Sequence, residues 1–412
     1  NISDKNKNVL SEYVRQVGFR TIEAKGKNIY MNDRPYWLGG ANMGPISIRP
    51  NDSKVAEKFL QYMHDSNQRI MRSHGMPITK VWAQAGDKIG VGYSSEGVWP
   101  WLMIRNSDIP DKSILEQHKR ETIKIIKALR NHPSILVWTI GNEQYFMDDT
   151  DEDRKYKKWQ YFQELVDIYR KYDGTRPIIL TSGYVAHKEQ ADYVKANGFE
   201  DGDIADPHLY SGWYTPSVFS DQYHNGRYLP ETDKPILSQE ASTGYPNDDT
   251  GTSEFHYIKL YVPQIWVGDQ AYPDRDPAAL LKHQGIVTKE WIEDVRRTRK
   301  TAGWMMFSNM CWFKNNWSSE YMEPYPVYSV TKFAYDDILI SADFRNRHYF
   351  EGDTVTGKLV VVNDSSDFKN LNMITCKISI LDKNGKELTV KTQDLSDCDY
   401  FGKSEADFSI QI

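Results

Sequence analysis

The sequence predicts an α/β fold: a (β/α)₈ (TIM) barrel followed by a smaller immunoglobulin-like β-sandwich. Three observations carry that expectation. Short β-rich runs alternate with amphipathic helices, which calls for a parallel sheet. Eight such runs precede residue 338 with no phosphate-binding GxGxxG after the first, favouring a closed barrel over an open nucleotide-binding sheet. From Ile338 onward only strands and turns follow, in ILISADF, GKLVVVN, MITCKISIL and ELTVKT. A chain of 412 residues exceeds one ordinary core, so a large unit plus a small one is the natural division. The expected boundaries are a preceding domain's tail and linker over 1–28, the barrel over 29–337 and the sandwich over 338–412.

The elements follow in order. Val14 to Ile22 alternates like a strand leaving an earlier domain, and Asn32-Asp33-Arg34-Pro35 reads as a turn. PYWLGGA, from Pro35, is the first barrel strand. Asp52-Ser53 can cap a helix that repeats Val55, Phe59 and Met63 at four-residue spacing. RIMR from Arg69 is the second strand; Ile78 to Ile89 is a helix leading into GVGYSS, which ends at Glu96. Ile114 to Leu129 is a helix stopped by Asn131-His132-Pro133. SILVWTIG, from Ser134, is the most strand-like run in the chain. A helix over about 152–172 places Trp159, Phe162, Val166 and Tyr169 on one face. PIILT, IADPHL, PILSQ and AGWMMF complete the eight.

Composition narrows the function. Hydrophobic residues at 39% and charged residues at 26% describe a soluble globular chain. No apolar run approaches the roughly 20 residues of a membrane span. A net charge of −6 and the lack of a basic stripe argue against nucleic acid. The polar start without Met reads as a chain processed, trimmed or cut from something longer, and the compartment stays open. Cys311, Cys376 and Cys398 show no metal-ligand spacing, although Cys376 and Cys398 could pair within the small domain. No metal and no cofactor are expected. Twelve Trp and 26 Tyr exceed what packing usually needs, and flat aromatic faces stack on sugar rings.

Active sites of such barrels lie where the strands' C-terminal ends open into loops. The polar residues expected there are Arg72, Glu96, Asn142 with Glu143, His208 with Tyr210, and Glu240; Trp312 falls just past the last strand. Two carboxylates on opposite strands, Glu143 and Glu240, suit glycosidic cleavage, in which one protonates the leaving oxygen and the other attacks or activates water. Arg72 would pair with the attacking carboxylate, and Glu96 would meet a substrate hydroxyl or support the site. His74 and His208 are not spaced as metal ligands. No Ser-His-Asp set or GxSxG elbow competes.

These segments resemble glycoside hydrolase family 2 over most of residues 17–337. The similarity rests on VGFRTIEAKGKNIYMNDRPYWLGGAN, on the Arg-x-His step at Arg72 to His74, and on HPSILVWTIGNEQ with its Asn142-Glu143 pair. It continues through HLY (His208 to Tyr210) and KPILSQEAS, which puts Glu240 at the nucleophile position. MMFSNMCWFKNNWSSEY, with Asn309 and Trp312, is closer to the mannosidase and exo-glucosaminidase branch. The resemblance implies a retaining exo-β-glycosidase acting on a terminal β-mannoside, β-galactoside or β-glucosaminide. Glu240 would be nucleophile and Glu143 acid/base; Asn142 would bind the 2-hydroxyl, Tyr210 would steady Glu240, and Trp312 would floor the sugar. Arg72, His74, Glu96, His208 and Asn309 would line the substrate site. It also implies an upstream sugar-binding jelly roll and an immunoglobulin-like domain, neither in this chain, so that residues 1–20 read as the end of a lost domain. A glycan-binding barrel without turnover and an endo-acting polysaccharidase of the same clan are the alternatives.

Overall fold

The computed structural model describes residues 2–412 apart from 13, 15–16, 184–187, 211–228, 243–276 and 345–348. Eight parallel strands form one sheet: β1 (Leu38–Asn42), β2 (Ile70–Arg72), β3 (Gly92–Glu96), β4 (Ile135–Asn142), β5 (Ile178–Ser182), β6 (His208–Tyr210), β7 (Leu237–Ser242) and β8 (Gly303–Phe307). β8 pairs with β1, and an isolated bridge between Gly183 and Pro207 brings β5 to β6, which nearly closes the barrel. Each strand starts one or a few residues after its expected position, although some run-in residues still bridge neighbours, as Ala205 does Ile236.

The helices form for local reasons as well as amphipathic ones. Asp52 caps α1 (Ser53–Asp65) by accepting from the Lys54 and Val55 amides, and Thr79 caps α2 (Lys80–Ile89). Val55, Phe59 and Met63 of α1 are buried against the sheet. Gly90 ends α2 in the left-handed conformation at φ 90°, which suits a residue without Cβ. α3 (Lys112–Leu129) and α4 (Glu152–Tyr172) follow, and Trp159, Phe162, Val166 and Tyr169 are buried on the inner face of α4. Among the described residues no helix is long and apolar enough to cross a membrane.

Two expectations at the N-terminus are corrected. Residues 17–21 form no strand: Phe19 is 93% exposed, while Arg20 turns its guanidinium to the carbonyls of Pro133 (3.0 Å) and Ile135. Alternation without a neighbouring edge has nothing to pair with. Residues 22–28, expected in the tail, belong instead to the barrel floor. Ile22–Lys25 pairs with Asn28–Met31, and a two-residue turn with Asn32 at φ 50° and Asp33 at φ 63° leads to Arg34–Pro35. Ile22 and Ile29 join Leu38, Ile70, Val137, Ile179 and Leu237 in one buried cluster that plugs the barrel's N-terminal end.

Tight strand packing beneath the site depends on Gly40. A Cβ there would stand 1.9 Å from the Ile70 carbonyl oxygen, a backbone atom that cannot rotate away. Gly40→Ala should therefore cost about 3 kcal/mol or more, read as a clear drop in the thermal midpoint. An unchanged midpoint would mean β1 and β2 are not held at this distance.

The C-terminal unit contains two sheets. β9 (Ile338–Asp343), β10 (Thr354–Asn363) and β13 (Gly402–Gln411) form one, and β11 (Ile374–Leu381) with β12 (Glu387–Leu395) the other. Val355, Leu359, Val361, Cys376, Leu395, Phe408 and Ile410 make their shared core. Cys376 and Cys398 are free thiols, not a disulfide. The barrel is anchored here through α5 (Pro277–Thr298), whose Arg296 donates to the Ala334 and Asp336 carbonyls and to Asp364 at 2.6–2.9 Å.

Candidate active site

The C-terminal ends of β2, β3, β4, β6 and β7 converge on one charged cluster. Arg72 ends β2, fully buried, and directs its guanidinium across the barrel. Nη1 donates to Glu240 (3.1 Å), and Nη2 donates to Glu96 (3.2 Å) and to the Asn142 side-chain oxygen. Burial opposes the Arg72 charge, but Glu96 and Glu240 outweigh it and raise its pKa. Glu96 also accepts from the Gly75 amide at 2.7 Å, while burial raises its pKa. His74 sits beside both carboxylates, with Nδ1 at 3.9 Å from Glu96 and 3.8 Å from Glu240. Burial, reinforced by Arg72 and His208, pushes His74 down to about 2, so its imidazole is neutral.

Glu240 lies on β7, only 4% exposed, directly opposite His208 in the β6–β7 register. Glu143 follows β4 at φ 54°, a left-handed backbone that costs a non-glycine residue about 1 kcal/mol. Its amide donates to the Ser182 carbonyl at 2.7 Å, which pins this turn and lifts the side chain over the mouth. The Glu143 side chain is 38% exposed. His208 joins the two: Nδ1 is 2.9 Å from Glu143 and 3.5 Å from Glu240. The hydrogen bond from His208 holds the Glu143 carboxyl below its usual range against the opposing effect of burial. Burial alone would depress His208, but Glu240, Glu143 and Asp206 together raise it.

One oxygen of Glu143, one of Glu240 and a ring nitrogen of His208 all lie within 4.8 Å of one another. A cation there would have to displace Arg72 from Glu240 and a proton from His208, so these donors suit proton transfer better than metal binding. Chemically the cluster offers a buried carboxylate paired with an arginine, facing a more open carboxyl that shares a proton with an imidazole.

Two of the sequence-derived candidates are turned elsewhere. The Asn309 amide donates to Gln68 at 3.1 Å, because the short 3₁₀ turn Asn309–Trp312 after β8 directs it toward the α1–β2 connection. Trp312 is 2% exposed within the main hydrophobic core and offers no open face for a sugar. The Tyr210 backbone ends β6, but its side chain lies outside the described residues. Other aromatic rings border the cluster: Phe307, ending β8, and Trp101, from the loop after β3, meet His74 edge-on at 5.2 and 5.4 Å. Trp101 is 44% exposed, and its WPW context was the available signal.

Fold and site together define a (β/α)₈ barrel with a carboxylate pair across its mouth. The chain belongs to glycoside hydrolase family 2: the glycosyl hydrolases family 2 TIM barrel domain matches residues 22–258, more than half of it. A β-galactosidase of Pectobacterium atrosepticum is 24% identical over 42% of this chain and 16% of its own. A β-glucuronidase of Paenibacillus borealis is likewise 24% identical, over 42% of this chain and 29% of its own. The β-D-mannosidase of Dictyoglomus thermophilum shares the fold at a TM-score of 0.64 and 17% identity, covering 99% of this chain and 51% of that one. The exo-chitosanase of Amycolatopsis orientalis does so at 0.64 and 15%, covering 96% and 48%. The chain thus spans about half, or less, of the length of these relatives.

Proposed function

We propose that the protein is a retaining exo-β-glycosidase that removes a terminal β-mannoside, β-galactoside or β-glucosaminide through a covalent glycosyl-enzyme. The observation that carries this reading is that one oxygen of Glu143 and one of Glu240 lie within 4.8 Å of each other, an approach that favours the shorter of the two carboxyl separations known for glycosidases. Direct attack needs carboxyl groups about 5–5.5 Å apart, whereas inversion needs roughly 6.5–9.5 Å to admit a water. Glu240, paired with Arg72, attacks the anomeric carbon while Glu143 protonates the leaving oxygen. Glu143 then takes a proton from the water that releases the sugar. Asn142, its oxygen engaged by Arg72, turns its amide group to the 2-hydroxyl, and the open Trp101 ring stacks on the substrate. The activities named for the β-mannosidase, the exo-chitosanase and the β-galactosidase support the substrate range.

The stereochemical course tests it. Aryl β-mannoside, β-galactoside and β-glucosaminide are offered in turn, and proton NMR follows the first-formed anomer of the released sugar. The β-anomer should appear first and then mutarotate. The α-anomer first would overturn retention, and no turnover on the whole panel would favour a glycan-binding barrel.

A further inference from the structure

Beneath the carboxylate pair runs a buried chain of polar groups that the double displacement itself does not use. Asp206, two residues before His208, is 1% exposed. Its Oδ1 accepts from the Gln239 amide (2.8 Å), and its Oδ2 accepts from Gln239 Nε2 (2.9 Å) and from the Ser182 hydroxyl. All three neighbours are donors, which suits a carboxylate, an acceptor only, and opposes the burial that raises the Asp206 pKa. The Ser182 hydroxyl has a single proton, and Asp206 takes it. The same oxygen lies 2.7 Å from His208 Nε2 and must therefore accept there. Nε2 then carries a hydrogen, and Nδ1 is the ring nitrogen left to exchange a proton with Glu143.

We propose that Asp206, acting through Ser182, keeps the catalytic proton on His208, so that His208 and Glu143 work as one acid/base unit. This rests on the glycosidase reading for Glu143. The proton balance is closed. In the free enzyme the unit holds one exchangeable proton, between Nδ1 and Glu143 Oε1. Glycosylation moves it to the leaving oxygen and leaves His208 neutral with Nε2–H still donated to Ser182. Deglycosylation returns a proton from the attacking water. Around His208 stand Glu143 after β4, Glu240 on β7, Arg72 at the end of β2, His74 just past it, and Asp206 ahead of β6. Arg72 opposes a proton on the imidazole and the three carboxylates favour it. Asp206 and Ser182 touch no substrate; they are positioning residues.

The sign follows. The unit is active with its proton present, so activity falls as pH rises through its apparent pKa. Removing the Asp206 charge lowers that pKa and draws the alkaline limb toward neutral pH. Asp206→Asn and Ser182→Ala should both be made. Protein with ¹⁵N-labelled histidine, with His208 assigned by loss of its signal in His208→Asn, gives the imidazole titration directly. The His208 midpoint should fall by about one pH unit or more in Asp206→Asn, and in the same direction in Ser182→Ala. The alkaline limb of kcat/KM on a substrate with a poor leaving group should move with it, and the loss on a 2,4-dinitrophenyl glycoside should be much smaller. An unmoved His208 midpoint overturns the proposal, as does a midpoint that moves while the alkaline limb stays. Equal losses on both substrates at every pH also overturn it, marking a merely structural role. If Asp206→Asn does not fold, Ser182→Ala decides alone. The titration reads the relay even without turnover, so a failed glycosidase assignment is distinguishable from a failed relay.

Discussion

Glu240→Gln is expected to abolish turnover on every glycoside, activated or not. The substitution is nearly isosteric, and the amide oxygen can still accept from Arg72 Nη1, now 3.1 Å away. The fold should therefore survive, which a circular-dichroism melt would verify. On the proposed mechanism what is lost is the attacking group: an amide oxygen does not form the glycosyl-enzyme, and at 4% exposure little room remains for a substitute. The loss should be on the order of 10⁴-fold or more, the scale on which enzymes lose a covalent nucleophile. Because attack by the carboxylate and departure of the aglycone belong to one step of the proposed mechanism, improving the leaving group should recover little. Substantial turnover of 2,4-dinitrophenyl glycosides by this variant would mean that Glu143 attacks and Glu240 serves as acid.

The carboxylate pair was legible because barrels obey a positional rule. SILVWTIG is unmistakably a strand, and whatever follows a strand here stands at the mouth, which is where Asn142 and Glu143 are found. PILSQ delivered Glu240 by the same logic. The misreadings share a cause, dependence on partners distant in sequence. Residues 17–21 alternate, yet Arg20 finds the carbonyls of Pro133 and Ile135 instead of another strand. Asn309 and Trp312 sit just past β8, but the 3₁₀ turn aims one at Gln68 and buries the other, and no local pattern encodes that direction. Ser182 and Asp206 were passed over for the opposite reason. A serine ending PIILTS and an aspartate inside IADPHL look ordinary, and only closure of β5 against β6 brings both to His208.

Glu143→Ala should separate substrates that Glu240→Gln does not. On the proposed mechanism it removes the proton donor of the first step and the base of the second but leaves the nucleophile and its Arg72 pair intact. For a natural sugar leaving group, loss of general acid help should cost about 10²–10⁴-fold in kcat/KM. A 2,4-dinitrophenolate departs without protonation, so glycosylation of Glu240 should remain fast and only its hydrolysis should stall. Glycosyl-enzyme then accumulates, visible as a burst of phenolate and as added mass on the intact protein. The vacated position is open to small molecules, since the Glu143 side chain is 38% exposed in the intact site. Azide needs no deprotonation, so it should enter there, restore steady-state turnover and leave a β-glycosyl azide, the product of two inversions. If azide rescues nothing and activated and unactivated substrates suffer alike, Glu143 is not the acid/base. An α-glycosyl azide would instead mean that azide had replaced the enzyme's own nucleophile, exchanging the roles of the two carboxylates.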